Sequence, residues 1–264
     1  MIKNRLLVFI IFFTLTAILI EVTLHILKPS VYKYSKSLGW ELKKNYKKKF
    51  NFVDKYGHNY EGVYSTNKYG ARGVGKKDSE IKILVIGDSF TMDPHTSNKD
   101  SWFGVLKLGL ESELNKSVYV SAIGGGGYGT NQQYLVTKEF LNKSQYSPDI
   151  ILLQFCVNDF MNNSYEWEIK SQNYNQFLRR PYYKENNHLA YHNSILGKLF
   201  RLELFSILKL PNYILRTFSI IEEKFFQISI DKEILNNSIV ITKNLLIKLK
   251  RLFPNKEVYA FNCK

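Results

Sequence analysis

Cysteine is almost absent, with Cys156 and Cys263 the two among 264 residues. They form no disulfide framework and no Cys-x-x-Cys site, and each reads first as a small buried apolar residue. No zinc-ligand spacing and no aromatic-interleaved basic motif occurs, so nucleic acid is not an expected partner. Acidic residues are scarce too: 23 Asp and Glu face 37 Lys and Arg, for a formal charge of +14. That excess fits an acidic partner such as anionic lipid or a wall polymer, or simply lysines spread over solvated faces. No internal repeat is visible, which excludes a solenoid. With 45% hydrophobic residues the chain can build a core, and its length holds one good-sized domain with a smaller appendage.

One long hydrophobic run is present. Leu6 to Ile20 carries no charge, and its apolar character continues to Leu27. As a helix, Leu6–Leu27 would span about 33 Å at ~1.5 Å per residue, enough to cross a bilayer. Lys3 and Arg5 precede it and no small-x-small cleavage site follows, so residues 1–28 read as an uncleaved membrane anchor. Orientation is contested. Lys28, Lys33, Lys36, Lys43, Lys44 and Lys47 follow the span, and the positive-inside rule would place them in the cytoplasm. The short signal-like N-terminus argues the opposite, and an extracytoplasmic domain is the preferred expectation.

Residues 29–80 read as a basic, Tyr-rich juxtamembrane linker with a small β extension at Gly62–Val74. Lys43, Lys44, Lys47, Lys48 and Lys49 could lie on anionic head groups or wall polymer, although a solvated linker is the plainer reading. The pattern changes at Ile81. Ile81–Gly87 is a continuous apolar run of the buried parallel-strand type. Asp100 or Ser101 can cap a helix to about Asn115, with Trp102, Val105, Leu106, Leu110 and Leu114 on one face. Ser117–Ile123 reads as a second strand, Thr130 as the cap of a helix to about Lys143, and Asp149–Phe155 as a third strand. Residues 162–193 look loop-like. Two helical stretches split at Pro211 fill residues 194–230. Asp231 can cap a helix to Phe253, and Glu257–Asn262 reads as a fourth strand.

This alternation predicts a doubly wound, mostly parallel, flavodoxin-like α/β sheet over residues 81–264, with strand one between strands two and three and strand four outside three. Cys156 and Cys263 would then follow neighbouring strand ends. A bridge there is conceivable, but two unbonded thiols are the preferred expectation. Sites in such sheets lie at the C-terminal ends of the strands, at the topological switch point. Three loops qualify. Gly87-Asp88-Ser89-Phe90 presents a serine just past a Gly turn. Gly124-Gly125-Gly126-Gly127-Tyr128-Gly129-Thr130 lets bare backbone approach a ligand, and it lacks the Lys-Ser/Thr ending of a phosphate loop. Val157-Asn158-Asp159 offers an uncharged amide suited to an oxyanion.

In that order these loops resemble the SGNH/GDSL hydrolases over roughly residues 60–160. Gly87-Asp88-Ser89-Phe90 is similar to the block bearing the nucleophile. Ala122-Ile123-Gly124-Gly125-Gly126-Gly127 aligns with the second block, with Ala122 in place of its Asn and Gly127 as donor. Cys156-Val157-Asn158-Asp159 aligns with the third, with Cys in place of Gly. Thr66–Gly73 also looks like a membrane-anchored subgroup. The resemblance implies Ser89 as nucleophile, with Gly127 and Asn158 as oxyanion donors converging on it. Asp88, Asp159 and His95 are possible accessory groups, Tyr128 and Thr130 possible substrate contacts, and no cofactor or metal is implied.

The family's final block, Asp-x-x-His, has no counterpart here. No histidine follows His192, and the chain ends at strand four, so a fifth strand with the catalytic His is expected only if the coding sequence continues past Lys264. His95 is the one histidine near Ser89 in sequence and could substitute as base; His188 and His192 read as surface residues. The expected activity is deacylation of a small acyl ester or an acylated envelope glycan. The alternatives are acyl transfer by the same serine, or a catalytically inert anchored glycan-binding or scaffold protein.

Overall fold

The computed structural model describes residues 2–53, 56–170, 178–183, 189–203, 205, 208–215, 217 and 231–263. Its first helix, α1 (Ile2–Leu27), meets the rest near its C-terminal end, where Glu21 accepts from the N–H groups of Lys209 and Leu210. Asn4–Leu27 is long and apolar enough to cross a membrane, and nothing in the protein buries it. Its polar interruptions are satisfied internally: Thr14, Thr16 and Thr23 each donate to the carbonyl four residues back.

Five strands build the central sheet. Ile81–Gly87 (β6) lies between Val118–Gly124 (β7) and Ile150–Phe155 (β8), and Val258–Asn262 (β11) lies outside β8. All four run parallel, as the apolar runs predicted. A fifth, antiparallel strand, Arg72–Val74 (β5), closes the far edge against β7. Its three residues end the β extension expected at Gly62–Val74, and the fold shows their pairing with β7. On one face of the sheet Leu84, Ile86, Ile151 and Leu153 pack on Phe140 and on Leu249 and Phe253. Phe140 belongs to α4 (Thr130–Ser144), and Leu249 to the helix Lys232–Lys250. On the other face Ile83, Val85, Val118 and Val120 pack on Phe103 of α3 (Trp102–Leu114).

Several expectations are corrected. Of the two cap candidates for α3, Ser101 serves, its hydroxyl accepting from Gly104 N–H. The buried side of α3 centres on Phe103, while Val105 and Leu114 are exposed. Gly129 occupies the cap of α4 and Thr130 is its first helical residue. Residues 209–215 are helical through Pro211, which sits in the first turn, where a missing N–H costs no helical bond. Residues 218–230 lie outside the described residues, as does His188. Cys156 and Cys263 are bridged rather than free, with Cα atoms 5.3 Å apart. Cys263 N–H donates to Phe155 O at 3.2 Å, continuing the β8–β11 ladder one residue past the strand and bringing the two positions together.

The stretch after α1 is not a solvated linker. Tyr32–Ser35 (β1) pairs with Gly39–Leu42 (β2), and Lys47–Val53 (β3) with Asn59–Ser65 (β4). Leu38, Trp40, Leu42 and Tyr64 are buried there. Gln132 of α4 donates to Leu38 O at 2.6 Å. Gln132 also accepts from buried Arg180, whose Nε lies 2.8 Å from the equally buried Glu168 carboxylate. Lys47, Lys48 and Lys49 are thus carried on a hairpin, and Lys43 just precedes it.

Candidate active site

The three loops singled out above leave one edge of the sheet. Gly87 pairs with Gly124 and Ile86 with Leu153, so β6, β7 and β8 end side by side. Two glycines allow that closeness. A Cβ on Gly124 would lie 2.3 Å from Gly87 O, and one on Gly87 would lie 2.2 Å from the Thr91 hydroxyl.

Ser89 opens the one-turn helix α2 (Ser89–Met92) and is exposed. Asp88 before it is fully buried; its carboxylate accepts from Phe90 N–H at 3.0 Å. Thr91 donates to the Gln154 side chain at 2.6 Å, pinning α2 to β8. Asn158 opens α5 (Asn158–Asn163), and its Nδ2 reaches Asp88 Oδ2 at 3.4 Å. The amide from the end of β8 is thus aimed at the residue next to Ser89, seventy positions earlier in the chain. Burial pushes the Asp88 carboxyl above its ordinary range, against the pull of its hydrogen bonds.

The Gly-rich loop makes a β-turn in which Tyr128 N–H donates to Gly125 O at 3.0 Å. Gly127, third in that turn, has φ +72°, the left-handed value a type II turn demands of its third residue. The turn bond does not use Gly127 N–H. Gly126 is held on both sides by the juxtamembrane hairpin: its N–H donates to Tyr32 Oη at 2.5 Å, and its carbonyl accepts from Trp40 Nε1 at 3.1 Å.

The other named residues fall as follows. Asp159 is fully buried, accepting from Cys156 N–H at 3.2 Å and from Gln133 Nε2 at 3.3 Å. Burial foremost, then the nearby Asp88 charge, pushes its pKa up to about 8. Neither carboxyl therefore sits at its ordinary acidity. Tyr128 is fully buried and donates to Trp40 O at 2.6 Å; Thr130 is fully buried as well. Neither offers surface to a substrate. His95 is exposed, six residues beyond Ser89, and its backbone N–H donates to Asp93 Oδ1. His192 is half-buried rather than superficial; its Nδ1 lies 2.8 Å from Ser194 Oγ and its ring rests near Tyr165. Among the described residues no cluster of three or more His, Cys, Asp and Glu is placed to hold a metal ion.

Arg72 is the contributor that sequence reasoning missed. It is 1% exposed, and its guanidinium donates to the carbonyls of Thr91, Met92, Asp93 and Thr96 and to the Asn98 side chain. It packs between the Tyr64 and Phe103 rings, 4.7 and 5.0 Å from their centres. One side chain from β5 thereby fixes the segment following Ser89. The available signal was a lone Arg in a small-residue strand, Gly70-Ala71-Arg72-Gly73, with no acidic neighbour.

No curated protein matches this sequence. Among solved structures it is similar to an esterase, AlinE4 in a mutant form, at 15% identity and a TM-score of 0.29, over 64% of this chain and 95% of that one. The family described as GDSL-like lipase/acylhydrolase matches residues 83–212, from β6 across all three loops. Residues 83–212 thus match a GDSL-like lipase/acylhydrolase domain, and they follow an N-terminal apolar helix.

Proposed function

We propose that this protein is a membrane-anchored serine esterase that removes O-acyl groups from an envelope glycan. Ser89 Oγ attacks the ester carbonyl, and the oxyanion is received by the N–H groups of Ser89 and Gly127 and by Asn158 Nδ2. Each such donor contributes on the order of 10²–10³ in rate. The observation that carries this reading is the Asn158 amide meeting Asp88, directly beside Ser89. Residues 1–28 serve as the anchor, 29–80 as a bracing segment and 81–264 as the hydrolase domain. The domain faces an extracytoplasmic compartment, and the Cys156–Cys263 bridge supports that side, since disulfides persist in oxidising environments. Lys43 to Lys49 meet anionic lipid or wall polymer.

A second reading is an inert glycan-binding protein of the same fold. Acetate release from an O-acetylated glycan by the full chain in detergent tests both. The esterase reading expects release that falls about a hundredfold in Asn158→Ala. Glycan binding with no release above that of Asn158→Ala would favour the inert protein.

A further inference from the structure

A cavity of about 600 Å³ opens where the end of α1 meets the β1–β2 hairpin, Gly126 and helical residues 209–213. Among the described residues that line it, five side chains are cationic (Lys28, Lys33, Lys43, Arg179 and Lys209), and none is a carboxylate. Nearby acids are already engaged. Glu41 pairs with Lys33 at 2.9 Å, and Glu21 accepts from the backbone N–H groups of Lys209 and Leu210 while pairing with His25. The Lys209 ammonium donates to Leu24 O at 2.9 Å and to Lys28 O, closing the end of α1.

What remains is positive charge resting on aromatic faces. Lys28 lies over Tyr213 at 5.3 Å and Lys43 over Tyr46 at 5.4 Å. Arg179 is the most telling member. Its Nη2 donates to Asn212 Oδ1 at 2.6 Å and its guanidinium lies over Phe200; its Nε is buried without an acceptor, and among the described residues no carboxylate pairs with it. Burial pulls its pKa down to about 10. A half-buried guanidinium beside four lysines is costly unless an anion neutralises it, and its planar fork suits phosphate oxygens. The cavity also sits where the apolar helix ends, the level at which lipid head groups lie.

We propose that this cavity binds the phosphate of an anionic membrane phospholipid, with Arg179 as central donor and Lys28 and Lys43 beside it. The anion site stands on the cavity alone; only the lipid source rests on reading α1 as a membrane span. Ester hydrolysis is not involved, so failure here and failure of the esterase reading are distinguishable.

The full chain in nonionic detergent, followed by native mass spectrometry, supplies the test, with phosphatidylglycerol, phosphatidylcholine and inorganic phosphate as probes. One phosphatidylglycerol should be retained about tenfold more tightly than phosphatidylcholine, with inorganic phosphate weaker still. Arg179→Gln and Lys43→Gln should each weaken that retention about tenfold, and Arg179→Lys should weaken it less than Arg179→Gln. Lys43 lies outside the core, so Lys43→Gln decides the matter should Arg179→Gln not fold. Equal retention of the two lipids, or glutamine variants that bind like the wild type, would overturn the proposal. Inorganic phosphate binding as tightly as phosphatidylglycerol would overturn the lipid assignment.

Discussion

The Asp159 carboxyl receives hydrogen bonds from Cys156 N–H and Gln133, yet burial still pushes its pKa to about 8 from an ordinary 3.8. The folded state therefore holds a proton that the unfolded chain releases between those values. Its stabilising effect is complete below about pH 4 and is lost as pH rises through 8. Asp159→Asn keeps the shape and removes the titration. Thermal melts should show the wild type losing stability from about pH 4 to pH 8 while the variant stays nearly flat. At Arg72 the chemistry is geometric, because one planar fork serves four carbonyls and an amide. Lysine retains the charge but not the fork. Arg72→Lys should cost about 3 kcal/mol by chemical denaturation and speed hydrogen exchange at residues 91–98, whereas a neutral outcome would remove Arg72 from its positioning role.

Elements were legible in proportion to how much of their signal is local. Ile81–Gly87 and Asp149–Phe155 are mostly apolar because both faces of those strands are covered, and such runs announce themselves. The hairpins after α1 did not. Lys and Tyr dominate them, and what orders them comes from far along the chain: Gly126 for Tyr32 and Trp40, and Gln132 for Leu38. For the same reason Tyr128 read as a substrate contact although the hairpin covers it. Within the site, Ser89, Gly127 and Asn158 were legible as strand-end residues, while Arg72, which acts from another element, carries no motif. The bridge between β8 and β11 depended on adjacency too, and it explains the Cys at position 156. It closes a loop of 107 residues, so reduction should cost about 2–4 kcal/mol. Thiol titration of the unreduced, denatured chain should find no free thiol; two would contradict the bridge.

For the molecule as a whole, charge, anchor and site share one organisation. The apolar helix, the cation-lined cavity and the Gly126 turn adjoin, so a serine hydrolase site would operate close to a membrane surface. A serine hydroxyl is a poor nucleophile without a neighbouring base, and losing one partner of such a set leaves mainly what binding and the oxyanion donors supply. Acetyl-ester hydrolysis by wild type and Ser89→Ala, measured side by side on the full chain in detergent, tests Ser89 as the nucleophile most directly. The wild-type rate should exceed that of Ser89→Ala by about a hundredfold or more. Equal rates would contradict Ser89 as the nucleophile.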